Sequence, residues 1–137
     1  MRMAGFIKDM EDGILGESID YDSLNLDTVA IGHSAVDKVL DYLQKGKMVF
    51  AMPLALEDTD GSYIGPYTIC TDGEWIWPGY YSYYIKTNKV GEIPKDLLDR
   101  MAGNNFIVPP VESMTEVEAK DHVLKLLIKN NPSFLKK

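Results

Sequence analysis

The sequence predicts an α+β fold, and three observations carry the prediction. Val36, Val39, Leu40 and Leu43 repeat at the helical i, i+3, i+4, i+7 spacing. Asp72-Gly73 stands between two β-forming runs, the pattern of a two-residue hairpin. Thr115-Glu116-Val117-Glu118 opens a last apolar periodicity with the signature of a capping box. Helix, strands and helices in that order give a small antiparallel β-meander with the Asp-Gly hairpin at its centre, packed against about three to four helices. The chain has 137 residues, 45% of them hydrophobic, and shows neither repeat nor linker, so residues 1–137 are expected to form a single domain.

Each element has its own signal. Residues 1–32 have weak periodicity and many turn formers, and are expected as short pieces tied to the core by Phe6, Ile7, Ile14, Leu15, Leu24 and Leu26. Ser34 is the expected N-cap of a helix over residues 35–45, its hydroxyl satisfying a free N–H of the first turn. Gly46 suits the left-handed residue past that helix. Lys47 to Leu56 reads as a strand in which Pro53 forces an edge, a bulge or an end. Asp58-Thr59-Asp60-Gly61 is a turn.

A type I′ hairpin needs positive φ at both Asp72 and Gly73. Its register pairs Thr71 with Glu74, Cys70 with Trp75, Ile69 with Ile76 and Thr68 with Trp77. Thr68, Cys70, Trp75 and Trp77 then share one face, and Tyr67, Ile69 and Ile76 the other. Two apolar faces imply a central place in the sheet. Pro78-Gly79 ends the strand, and Tyr81, Tyr84 and Ile85 predict a short helix after it. Pro94 opens another helix that buries Leu97, Leu98 and Met101 and closes at Gly103. The final helix is expected to bury Val117, Val123, Leu124, Leu127 and Ile128 and to stop at Asn130, before Pro132.

Several function classes are disfavoured by composition. Acids begin at Asp9 without a sustained apolar run before them, so no secretory signal is expected. The longest apolar stretch, Met48 to Leu56, is too short to span a bilayer and contains Pro53. A lone cysteine, Cys70, fits a reducing compartment, and a cytoplasmic protein is expected. One Cys with His33 and His122 makes no ligand pair at a known spacing, so neither metal nor cofactor is expected. Asp58 to Gly61 lacks the further acids of a calcium loop.

The net charge of −7 is unevenly placed. Residues 1–60 hold twelve acids against five bases, while residues 61–137 hold nine of each. From Asp9 to Asp37 there are eight acids and no Lys or Arg. The everyday role of such a run is a solvated surface. Its functional role is to repel nucleic acid and anionic membranes and to steer cationic partners inward.

Catalytic signals are weak. There is no Gly-x-Ser-x-Gly elbow and no phosphate loop. Cys70 sits beside tryptophan in the expected hairpin, an apolar setting that makes a thiol inert, and pairing it with His122 is a poor case for a nucleophile. Asp58 with Asp60, or Asp72 with Glu74, offer paired carboxylates, but turns are acidic by default. A protein without enzymatic activity is expected. Two Trp and six Tyr fall between Tyr63 and Tyr84. They suit a core, or else a stacking surface for sugars.

The segment Ile69-Cys70-Thr71-Asp72-Gly73-Glu74-Trp75-Ile76-Trp77-Pro78, followed by Tyr83-Tyr84, resembles small bacterial immunity-type proteins that protect a cell from polymorphic or contact-dependent toxins. The resemblance spans residues 64–100, carries no catalytic motif and excludes the acidic first third. It implies an inhibitor fold with a variable toxin-facing surface, and no family binding residue transfers.

The expected function is therefore an acidic inhibitor that binds and neutralises a basic protein toxin, such as a nuclease, whose phosphate-holding Lys and Arg the carboxylates would occupy. The expected contacts are Asp9, Glu11, Asp12, Glu17, Asp20 and Asp22, with Asp72, Glu74 and Trp77 around the hairpin as a second group. The alternative is a carbohydrate- or small-ligand-binding module using Trp77 and the Tyr80–Tyr84 cluster.

Overall fold

A computed structural model describes residues 1–132. Among them the fold is α+β, with six α-helices and two sheets. The chain runs through β1 (Arg2–Met3), α1 (Lys8–Glu11), a 3-10 turn (Gly16–Ser18), α2 (Tyr21–Leu24), β2 (Thr28–Ala30), α3 (Val36–Gln44), β3 (Lys47–Glu57), β4 (Tyr63–Thr71) and β5 (Trp75–Pro78). It continues through α4 (Tyr80–Lys86), β6 (Glu92–Pro94), α5 (Lys95–Gly103) and α6 (Ser113–Asn130). The four longer helices are those the periodicity predicts, and α1 and α2 are four-residue pieces of the wrapping segment. No described helix is long and apolar enough to cross a membrane.

The larger sheet has the order β1-β5-β4-β3, with β1 parallel to β5 and the other pairs antiparallel. The second sheet is β2 with β6. The β4–β5 pair is central, as its two apolar faces require. Pro53 lies on the edge strand β3, where the register shifts between Met52 and Ala55. A missing N–H is tolerated at such an irregular edge.

Two apolar clusters sandwich the larger sheet. Tyr67, Ile69 and Ile76 pack with Phe6, Ile14, Leu15 and the inner face of α6 (Ala119, Val123, Leu127). Trp75 and Trp77 pack on the other side with α3 (Val39, Tyr42, Leu43) and α5 (Leu97, Met101). The face assignment thus follows the sequence reading, but the turn does not.

Observed pairs are Thr71 with Ile76, Cys70 with Trp77 and Ile69 with Pro78. Only Gly73 has positive φ, so the two-residue type I′ turn is absent and a wider loop replaces it. Its cause is Asp72, whose Oδ1 accepts the N–H groups of Glu74 and Trp75 at 3.0 and 2.8 Å. The resulting slip is two residues. A two-residue slip restores side-chain parity, so both tryptophans keep their face.

Other local expectations are corrected too. Ser34 does not cap α3; the N-cap position is Ala35, whose N–H bonds to Gly32 O at 2.8 Å. Gly46 is not left-handed. It is required because a Cβ there would overlap the Trp77 ring. The capping box does not form, since α6 begins at Ser113 and holds Thr115 inside its first turn. Val117 and Leu124 face outward, because α6 packs through i, i+4, i+8 positions. Leu26 is exposed as well, leaving Phe6, Ile14 and Leu15 as the main N-terminal anchors. Ile14 O closes the far end of the fold, accepting from the side-chain amides of Asn130 and Asn131 at 3.0 and 2.8 Å.

Candidate functional site

The acidic segment folds as α1, the 3-10 turn and α2, and it divides its carboxylates into two kinds. Asp9, Asp12, Glu17, Asp20 and Asp22 are exposed. They line two adjoining open depressions that share Lys8 and Glu17: one with Asp9, Asp12 and Gly16, the other with Ile19, Asp20, Tyr21 and Asp22. None of the five enters an ion pair among the described residues. Asp20 also caps α2, accepting weakly from Ser23 N–H at 3.4 Å.

Glu11 is of the other kind. It has no exposed surface, so it cannot be a partner contact. Tyr67 donates its hydroxyl to Oε1 at 2.5 Å and Tyr80 donates to Oε2 at 2.7 Å. The Tyr80 oxygen in turn accepts Ile7 N–H at 2.8 Å, so both ends of α1 are tied to the core. Burial pushes the Glu11 carboxyl above its ordinary value, against the pull of the two tyrosines. Both tyrosines are pushed up by burial and by Glu11 itself. Tyr21, burying its ring beside Glu11 and Glu17, rises to about 12.

At the hairpin, Asp72 is a second correction. It is buried, with Oδ2 accepting from Tyr42 Oη at 2.5 Å and Arg100 Nε at 2.8 Å. Arg100 Nη2 also donates to Asp72 O at 3.0 Å. Glu74 stays exposed but lies 3.3 Å from Arg100 Nη1. The hairpin carboxylates are therefore neutralised from inside the molecule. Arg100 is the residue sequence reasoning missed, and the available signal was a lone Arg among the apolar positions Leu97, Leu98 and Met101.

Trp77 is the third correction. It is 1% exposed, and its indole N–H donates to Leu43 O at 3.0 Å. Tyr80 and Tyr81 are buried as well. Tyr83 and Tyr84 stack edge-to-face on each other, while Tyr83 donates to Asp58 at 2.9 Å. Trp77, Tyr80 and Tyr81 therefore belong to the core, and Tyr83 and Tyr84 form its half-buried rim.

Asp58 is held by Lys89 and Tyr83, and hydrogen bonding from Lys89 lowers its carboxyl to about 2. Cys70 packs on the tryptophan side of the sheet, where burial pushes its thiol up to about 11. His122 lies on α6, which covers the opposite face, so the two do not converge.

Comparison with protein-family models, with curated proteins and with solved structures found no match.

Proposed function

We propose that this protein is an inhibitor that docks a basic protein toxin, of the nuclease type, onto the exposed face of the α1–α2 segment. One contrast carries the reading. Glu11, Asp58 and Asp72 are each satisfied inside the fold by Tyr, Lys or Arg. Asp9, Asp12, Glu17, Asp20 and Asp22 gather around Lys8 with no ion pair of their own among the described residues. A surface that concentrates like charge destabilises the molecule that carries it. A partner whose active site displays Lys and Arg for phosphates would relieve that repulsion and associate fast under electrostatic steering. The single free thiol suits a reducing compartment, and we place the inhibitor in the cytoplasm.

Coexpression with a panel of basic nuclease toxin domains tests the reading, followed by stopped-flow association with any domain neutralised. Between low and high salt the association rate is expected to fall about 10- to 100-fold. Replacing the five exposed carboxylates by Asn or Gln should abolish both protection and salt dependence while leaving the melting curve intact. Full protection by that neutral variant would refute the assignment of this face.

A further inference from the structure

We infer that α6 carries a docking seam for a second copy of this chain, lying antiparallel across it. Met114, Val117 and Leu124 are 79%, 55% and 44% exposed on a helix whose inner face is already used by Ala119, Val123 and Leu127. With the half-buried Ile128 and with Asp121, they sit at positions 114, 117, 121, 124 and 128. That spacing of three, four, three and four is the a/d repeat of a coiled coil. At about 100° per residue the five fall within an arc of about 80°, pointing away from the core.

The charges beside the seam choose the occupant and its direction. Glu118 and Lys125 occupy the two e positions, both exposed and in no ion pair among the described residues. Seven residues apart, about 10 Å along the axis, they cannot reach each other. In an antiparallel two-fold pair, a positions face d positions. Asp121 then lies opposite Leu124 of the second copy, and Val117 opposite Ile128 of the second copy. The e positions meet e positions in that register, so Glu118 faces Lys125 of the second copy, twice by symmetry. A parallel pair would instead set Asp121 against Asp121 and Lys120 against Lys125. The flanking charges are opposite in sign across the antiparallel seam and alike across the parallel one.

Sedimentation of the full chain from about 5 to about 500 µM tests this, with far-UV circular dichroism to show each variant folded. A reversible dimer in the micromolar range is expected. Leu124→Asp should raise its dissociation constant at least about tenfold. Glu118→Lys and Lys125→Glu should each weaken it about 3- to 10-fold, and an equimolar mixture of the two should dimerise as tightly as the wild type, because every facing pair is again opposite in sign. A chain that stays monomeric at the highest concentration overturns the proposal. So does a dimer indifferent to Leu124→Asp. Single swaps that bind as well as wild type, or a mixture no tighter than either alone, overturn the antiparallel register.

Discussion

Replacing Glu11 separates a structural pin from a surface contact. Glu11→Ala leaves the Tyr67 hydroxyl without an acceptor and takes the carboxylate from Tyr80, which keeps only Ile7 N–H. Two stranded hydroxyls at about 1–3 kcal/mol each, together with the space vacated, outweigh the relief of no longer burying a charge. The expected loss is about 3–4 kcal/mol, a fall of about 10 °C in melting temperature for a domain of this size. Glu11→Gln retains one carbonyl acceptor and should lose about 1 kcal/mol near neutral pH. The pH dependence is the sharper readout. Burial raises the folded-state value of Glu11 above its ordinary 4.5, so between the two values the native state holds the extra proton. Stability then falls as pH rises through that window, by at most about 1.4 kcal/mol per unit. Wild type should gain on Glu11→Gln as pH is lowered toward 4.5 and level off below it. Urea titrations at several pH values measure the difference directly. A gap that narrows on acidification, or a Glu11→Ala variant as stable as wild type, would refute a buried, tyrosine-held carboxyl.

Asp72→Ala removes the acceptor for Tyr42, Arg100 and two loop amides at once, and should destabilise the fold by about 3–5 kcal/mol in chemical unfolding. A loss under about 1 kcal/mol would show that the hairpin loop does not depend on it. The Cys70 thiol, lifted to about 11, should react with an aromatic disulfide at pH 8 far more slowly than the same thiol in denaturant, and equal rates would contradict its packing beside Trp77.

Much of this architecture was legible because one apolar period dominates each long element. The faces of β4 and β5 were readable even though the turn between them was not, since parity along a strand survives a shift of two. Turn chemistry failed at Asp72 because an Arg 28 residues downstream and a Tyr 30 upstream both hold its carboxylate, and neither is visible to a local rule. Ser34 and Thr115 failed too: their helices are entered at Ala35 and Glu112, each without a side-chain cap hydrogen bond. The acidic site was half legible. Charge counting found the segment but could not separate Glu11 from its neighbours. A period does mark it, because Ile7, Glu11, Ile14 and Leu15 follow i, i+4, i+7, i+8, which puts a carboxylate at an apolar position.

The ties at Glu11 and Ile14 have a kinetic meaning. They join residues 69 and 116 positions apart in the chain, so each forms only when distant stretches of polypeptide have been brought together. Closing loops of that length is slow, and the short-range bonds inside the segment do not supply these two ties. The anionic surface is accordingly born with the completed molecule and vanishes with it. A synthetic peptide of residues 8–24 would carry the same carboxylates yet lack the arrangement that distinguishes a docking face from a charged tail.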